Sequence, residues 1–164
     1  MISEQPGDQE DLTGQPFVGP AGKVLDQALE EAGIDRADVY LTNVVKHFKW
    51  AASERGKRRI HEKPRGDEIE ACRRWLDSEL RIIQPQVLVC LGATVAQALF
   101  GRQFSGQQAT AAMGRITPGS TRDRYRSSLV HLACADDASR HEHVKEFVAD
   151  LKMIANLLQQ LPHR

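Results

Sequence analysis

Two short runs, VYLTNVV at 39–45 and VLVCLG at 87–92, carry apolar and β-branched residues almost without alternation. A strand with one wet face alternates apolar with polar residues, so a run that does not alternate is buried on both faces, as in a parallel sheet covered by helices. The intervening segments have helical periodicity. KVLDQALEEA (23–32) repeats Val24, Leu25, Ala28 and Leu29, with Pro20 suited to the first turn and Gly33 to the stop. Residues 67–83 put Ile69, Cys72, Leu76, Leu80 and Ile83 on one face, with Asp67 as the expected cap. A short helix is expected over 94–100, and a long amphipathic one over 139–161 with Val144, Phe147, Val148, Leu151, Ile154 and Leu158 inward. Strands alternating with helices predict a three-layer α/β/α domain around a central, mostly parallel sheet. At 164 residues one core suffices, so a single domain over 1–164 is expected.

In such sheets ligands bind beyond the carboxyl ends of the strands. Those segments here are 3–22, 43–66 and 92–94, and the first two are compositionally unusual. MISEQPGD reads as the last residues of a strand running straight into a loop. A parallel strand wants about five or six residues, so the chain is expected to lack an N-terminal segment. The four acids of EQPGDQED (4–11) suit a solvated turn or, given their place at a strand end, a site. GQPFVGPAGK (14–23) is glycine-rich before a helix, but valine follows Lys23 and the spacing is wrong for a phosphate-binding loop. Phe17 in that rigid loop is either core or a platform on which a flat base can stack. Asn43, on an otherwise apolar strand, either caps a loop or offers its amide to the edge of a nucleobase.

Basic and acidic residues balance at 22 each, so net charge announces no polyanion, but their distribution is uneven. Residues 46–65 hold Lys46, Lys49, Arg55, Lys57, Arg58, Arg59, Lys63 and Arg65 against only Glu54 and Glu62. Such a patch beside an acidic loop can orient a polyanion. Within it, KRRIH (57–61) ends in His61, which is either one more surface residue or the group the loop delivers. No run nears the roughly 18 apolar residues of a membrane span, and no signal peptide is visible. Cys72, Cys90 and Cys134 are odd in number and widely spaced, which points to a reducing, cytoplasmic setting. His47 and Cys72 are metal-ligand types, but two ligands do not make a site, and Cys90 reads as core.

EQPGDQEDLTGQPFVGPAG, LTNVVKHFKW, GKRRIH and VLVCLGATVAQAL together resemble the uracil-DNA glycosylase superfamily, and most of all its cross-linking class, family X, a relative of the iron–sulfur family 4. The resemblance runs over 1–101 and returns at about 136–158. It implies a DNA-repair protein that recognises and excises uracil, acts on uracil-containing DNA with single strands preferred, and works as a monomer. By that resemblance Glu4, Gln5 and Asp11 match catalytic positions, Phe17 the ring that stacks on flipped uracil, and Asn43 the reader of its amide edge. His61 matches the histidine that attacks C1′ of the sugar once uracil leaves, with Glu4 as its orienter. Lys57, Arg58 and Arg59 would hold the loop against DNA phosphates. Ser3 stands where the family has glycine, a strained position if positive φ is needed there.

Two further departures stand out. Family 4 and X relatives hold a [4Fe–4S] cluster through four ligands; His47 and Cys72 match the last two, and the upstream C-x-x-C pair is absent, leaving an incomplete set. Residues 102–138 lack any period where relatives have a strand ending in an HPSS motif. One permissible set of codons for RDRYRSSLVHLA (122–133) reads, one base later, as VTVTVHPSSTS. Compensating frameshifts across about 105–135, natural or from sequencing, are therefore expected, and resequencing the DNA tests them. The rival to a covalent glycosylase is a non-catalytic remnant that binds uracil-DNA or single strands, lacking the HPSS histidine and two cysteines. Weaker rivals are a conventional glycosylase that turns over and a flavodoxin-like nucleotide-binding domain.

Overall fold

The computed structural model describes residues 1–53, 56, 58–101, 128–130 and 137–160, the side chains of 128–130 and 137–141 excepted. Four parallel strands form the central sheet: β1 (Ile2–Ser3), β2 (Thr42–Asn43), β5 (Val89–Leu91) and β6 (Ser128–Val130), in the order β2-β1-β5-β6. Ile2 pairs with Thr42 on one side and with Cys90 on the other, and Cys90 pairs with Leu129. A separate antiparallel ribbon joins β3 (Trp50–Ala52) to β4 (Arg59–His61).

Successive residues of the β5 run go to opposite faces, as a strand covered on both sides requires. Leu88 and Cys90 enter one cluster with Ile2, Val44, Val45, Cys72, Leu76, Leu80 and Val95, beneath α3 (Gly66–Ile83) and α4 (Ala93–Phe100). Val89 enters the other with Leu25, Leu29, Phe147, Leu151 and Ile154, beneath α2 (Pro20–Ala32) and α5 (Asp137–Gln160). This is the expected three-layer α/β/α arrangement. A six-residue helix, α1 (Asp8–Thr13), and one 3₁₀ turn (Arg36–Asp38) complete the described elements.

The helices follow the sequence periods closely. Pro20 opens α2 and Gly33 closes it at φ 72°, the left-handed geometry that favours glycine. The cap of α3 differs from expectation: Arg65 is the N-cap, its N–H donates to Glu68 Oε2 at 2.6 Å, and Asp67 instead pairs with Arg65 in the first turn. Ile83 lies exposed at the end of that helix. Of the stretch 102–138, three residues supply β6 and two begin α5. The strand expected to be missing is thus filled, in its backbone, by Ser128–Val130, and the remaining residues of the expected frameshift lie outside the described residues.

Candidate active site

The carboxyl ends of β1 and β2 lie side by side. Val44 N–H donates to Ser3 O at 2.8 Å and Val45 N–H to Glu4 O at 2.9 Å, so the ladder continues past both strands and fixes Glu4 beside Asn43. Asn43 is buried, and its Oδ1 accepts from the Ser3 hydroxyl. Ser3 is free of the expected strain: the non-glycine residues with positive φ among the described residues are Phe17 and Gln84.

Within 46–66, expected as a loop, Trp50–Ala52 and Arg59–His61 pair as the β3–β4 ribbon. Trp50 faces His61 across it, and Ala52 faces Arg59. Residues two apart share a face, so Arg59 and His61 project together with Trp50. The His61 Nε2 stands 3.7 Å from Glu4 Oε1, and its ring centroid is 6.2 Å from that of Phe48. The imidazole is about half exposed while Glu4 is largely covered. A carboxylate rooted in the central sheet therefore meets an accessible imidazole on the ribbon.

Gln5 is what seats the ribbon. Its Nε2 donates to Lys49 O and to Glu62 O, both at 3.1 Å, and its Oε1 accepts from Lys49 N–H at 3.3 Å. Those backbone groups flank the two strands, so one buried amide closes the open end of the ribbon onto the sheet. Both its N–H donors are engaged there, and its carbonyl oxygen accepts once.

Arg59 is held as firmly. Its Nε donates to Asp8 Oδ1 at 2.5 Å, Nη1 to Asp11 Oδ2 at 2.6 Å and Nη2 to Asp8 O at 3.2 Å. The guanidinium carbon lies 5.2 Å from the Phe48 ring centroid and 5.6 Å from that of Trp50. The hydrogen bond to Asp11, above all, raises its pKa further above the usual arginine value. Asp11 and Arg59 thus neutralise one another at the ribbon's edge. Asp8 completes that clamp and escaped the sequence reading, as its partner is 51 positions away.

The same pairing thins the basic patch. Lys46 Nζ is 2.7 Å from Glu79, Lys49 Nζ 3.0 Å from Glu68, and Arg65 Nη2 2.9 Å from Asp67. Arg58 and Lys63 remain exposed beside His61 in sequence, while Lys57 lies outside the described residues.

Phe17, in the loop before α2, has φ 57° and is partly buried against the α2–α5 cluster. Left-handed backbone costs a non-glycine residue about 1–2 kcal/mol, and two contacts sustain it here. Gly19 N–H donates to Glu10 Oε1 at 2.8 Å, which anchors the loop to α1. Gly22 packs so closely that a Cβ there would stand 1.8 Å from Phe17 O.

His47 and Cys72 are joined by no third ligand type in a metal centre among the described residues. His47 is exposed, whereas Cys72 is buried in the core with Val45, Leu76 and the β1 end. Among the described residues no three His, Cys, Asp or Glu side chains stand together as a metal site. A [4Fe–4S] cluster takes four protein ligands, so these residues do not fit one. Cys90 packs in the sheet, and burial pushes its thiol up to about 12. Among the described residues no helix is long and apolar enough to cross a membrane.

Parallel sheet, strand-end carboxylate and ribbon-borne histidine define an α/β domain in which a carboxylate and an imidazole meet at the carboxyl end of β1. Comparison with known proteins narrows that class. The family model for the uracil DNA glycosylase superfamily matches residues 1–155, and the chain belongs to that superfamily. It is similar to the Type-4 uracil-DNA glycosylases of Archaeoglobus fulgidus (41% identical over 100 residues, 61% of this chain and 46% of the relative) and Thermotoga maritima (43% over 94, 57% and 44%). The match to the Sulfurisphaera tokodaii enzyme is 38% over 109 residues, 64% of this chain and 46% of the relative. Each match thus spans less than half the length of the relative.

Proposed function

We propose that this protein is a DNA-repair glycosylase that excises uracil from DNA and then bonds covalently to the abasic sugar through His61. The observation that carries the reading is the meeting of Glu4 and His61 at 3.7 Å, from elements 57 positions apart, with the imidazole open to solvent. Family membership and the Type-4 relatives support the glycosylase half of it.

In this reading the uracil nucleotide leaves its stack, from a single strand by preference, and enters the cleft. Phe17 stacks on the ring and Asn43 bonds its amide edge. The C1′–N1 bond breaks, and uracil departs with the electron pair and takes a proton from solvent. A ring nitrogen of His61 donates its lone pair to the cationic C1′. The alkylated imidazolium then sheds its remaining N–H proton to solvent or to Glu4. A carboxylate holding one N–H leaves the other nitrogen's lone pair available, which is the orienting role of Glu4. Gln5, Asp11 and Arg59 act on this chemistry by fixing the ribbon, and Arg58 with Lys57 meets phosphate. The protein reacts once per molecule, as a monomer in the cytoplasm.

The test is a denaturing gel after incubation with a uracil-containing single-stranded oligonucleotide. A shifted band that needs uracil and vanishes in His61→Ala is the expected result. Free uracil without a shifted band would leave a glycosylase that turns over. DNA binding with neither product would leave a non-catalytic module.

A further inference from the structure

The buried amide of Asn43 could face the cleft in two ways, and the two read different bases. Uracil offers a keto oxygen that accepts beside an N3–H that donates. Cytosine offers an amino group that donates beside an N3 that accepts. An amide presenting Nδ2–H to position 4 and Oδ1 to position 3 matches uracil, whereas the same amide turned over matches cytosine. A lone asparagine on a strand therefore has no inherent preference between them. Whatever fixes its rotation sets the specificity.

We propose that Ser3 fixes it, and so acts as the residue that makes this cleft choose uracil over cytosine. The inference rests on the reading of Asn43 as the base contact. Ser3 and Asn43 are register partners in adjacent parallel strands, so their side chains leave the sheet together. The Ser3 hydroxyl donates to Asn43 Oδ1 in a partly buried setting. Its hydroxyl has no other acceptor among the described residues. If the amide turned over, the hydroxyl would have to accept from Nδ2, and its own proton would lose its partner. An unsatisfied, partly buried donor is the costlier state, so the bond holds Oδ1 on the Ser3 side.

That orientation leaves the second lone pair of Oδ1 for the uracil N3–H, and both Nδ2 protons free, one of them for the keto oxygen. Glycine at this position would leave the amide unguided from that side. The hydroxyl therefore supplies a constraint that a bare backbone at position 3 could not. Ser3 touches Asn43 rather than substrate, so it is a positioning residue.

The test follows the Asn43 side-chain amide by NMR in the full chain, labelled at asparagine, while free uracil or free cytosine is added. Wild type, Ser3→Ala, Ser3→Gly and Ser3→Thr are compared, each first checked for a dispersed spectrum. Wild type should bind uracil more tightly than cytosine. Loss of one neutral hydrogen bond is worth about 0.5–1.5 kcal/mol, so the uracil-to-cytosine affinity ratio should fall about two- to tenfold in Ser3→Ala and Ser3→Gly. Ser3→Thr, which keeps the hydroxyl, should restore it. An unchanged ratio in both hydroxyl-free variants would overturn the role of Ser3 and leave the functional reading intact. An Asn43 amide in the wild type that responds to neither base would overturn Asn43 as the base contact, and the inference with it.

Discussion

The Arg59 guanidinium donates to Asp8 and Asp11 and lies over Phe48 and Trp50, so its charge is matched before any phosphate arrives. It sits two residues before His61 on the same strand face. It therefore belongs to the placement of the imidazole, and its exposed neighbour Arg58 is the better candidate for the proposed phosphate contact. Salt dependence separates the two roles. Each lost phosphate contact lowers the slope of log affinity against log salt by about 0.7–0.9. Arg58→Ala should show that drop in uracil-DNA binding. Arg59→Ala should leave the slope unchanged yet slow covalent capture by about tenfold or more, for it removes the charge-assisted bonds to Asp8 and Asp11 that hold the ribbon. Arg59→Lys should rescue little, as an ammonium cannot span both carboxylates. A reduced slope in Arg59→Ala would return that residue to the DNA backbone. The sequence suggested phosphate contact for Arg59 because its near neighbours are basic. Its acids lie 48 and 51 positions away, where no local pattern reports them.

The ribbon β3–β4 is the element least legible in the sequence. Its strands are three residues each and largely exposed, so no apolar alternation announces it. Gln5 and the Arg59 clamp stabilise it in place of a core. The longer helices were legible because their buried stripes are long; the cap of α3 shifted, Ile83 came out exposed, and the six-residue α1 gave no signal. At α3, Glu68 accepts from Arg65 N–H and lies 3.0 Å from Lys49 Nζ, linking the helix start to the ribbon. Its backbone bond to Arg65, and then Lys49, hold its carboxyl below the usual range. A depressed folded pKa contributes stability that is present above the unfolded value of about 4.3 and lost as pH falls through the folded one. Glu68→Gln keeps an acceptor for Arg65 N–H but no charge. Thermal midpoints from pH 7 down to 3 should show wild type above Glu68→Gln at neutrality, with the gap closing below the carboxylate range. A gap independent of pH would remove the charge from the explanation.

Across the molecule, the alternation of Leu88, Val89 and Cys90 between two clusters ties both helix layers to one short strand. Phe147, fully buried between α5 and the sheet, anchors one layer. Phe147→Ala should cost about 3–5 kcal/mol in denaturant unfolding; a cost under about 1 kcal/mol would mean that layer is not packed as described. The sheet and its helices were readable because burial on both faces leaves a continuous apolar signature. The resemblance marked Glu4, Gln5, Asp11, Phe17, Asn43 and His61 as site positions, but how Gln5, Asp8 and Asp11 hold the ribbon depends on long-range contacts. Cys72 and His47 share ligand chemistry in sequence but differ in burial, one in the core and one exposed. The central claim is a bond from His61 to the abasic sugar, and locating that bond tests it most directly. After reaction with a uracil oligonucleotide and nuclease and trypsin digestion, the peptide Ile60–Arg65, kept whole because Pro64 protects Lys63, is sequenced by mass spectrometry. The expected result is a deoxyribose adduct with the added mass on His61. Unmodified Ile60–Arg65 alongside released uracil, or an adduct on any other residue, would contradict the claim.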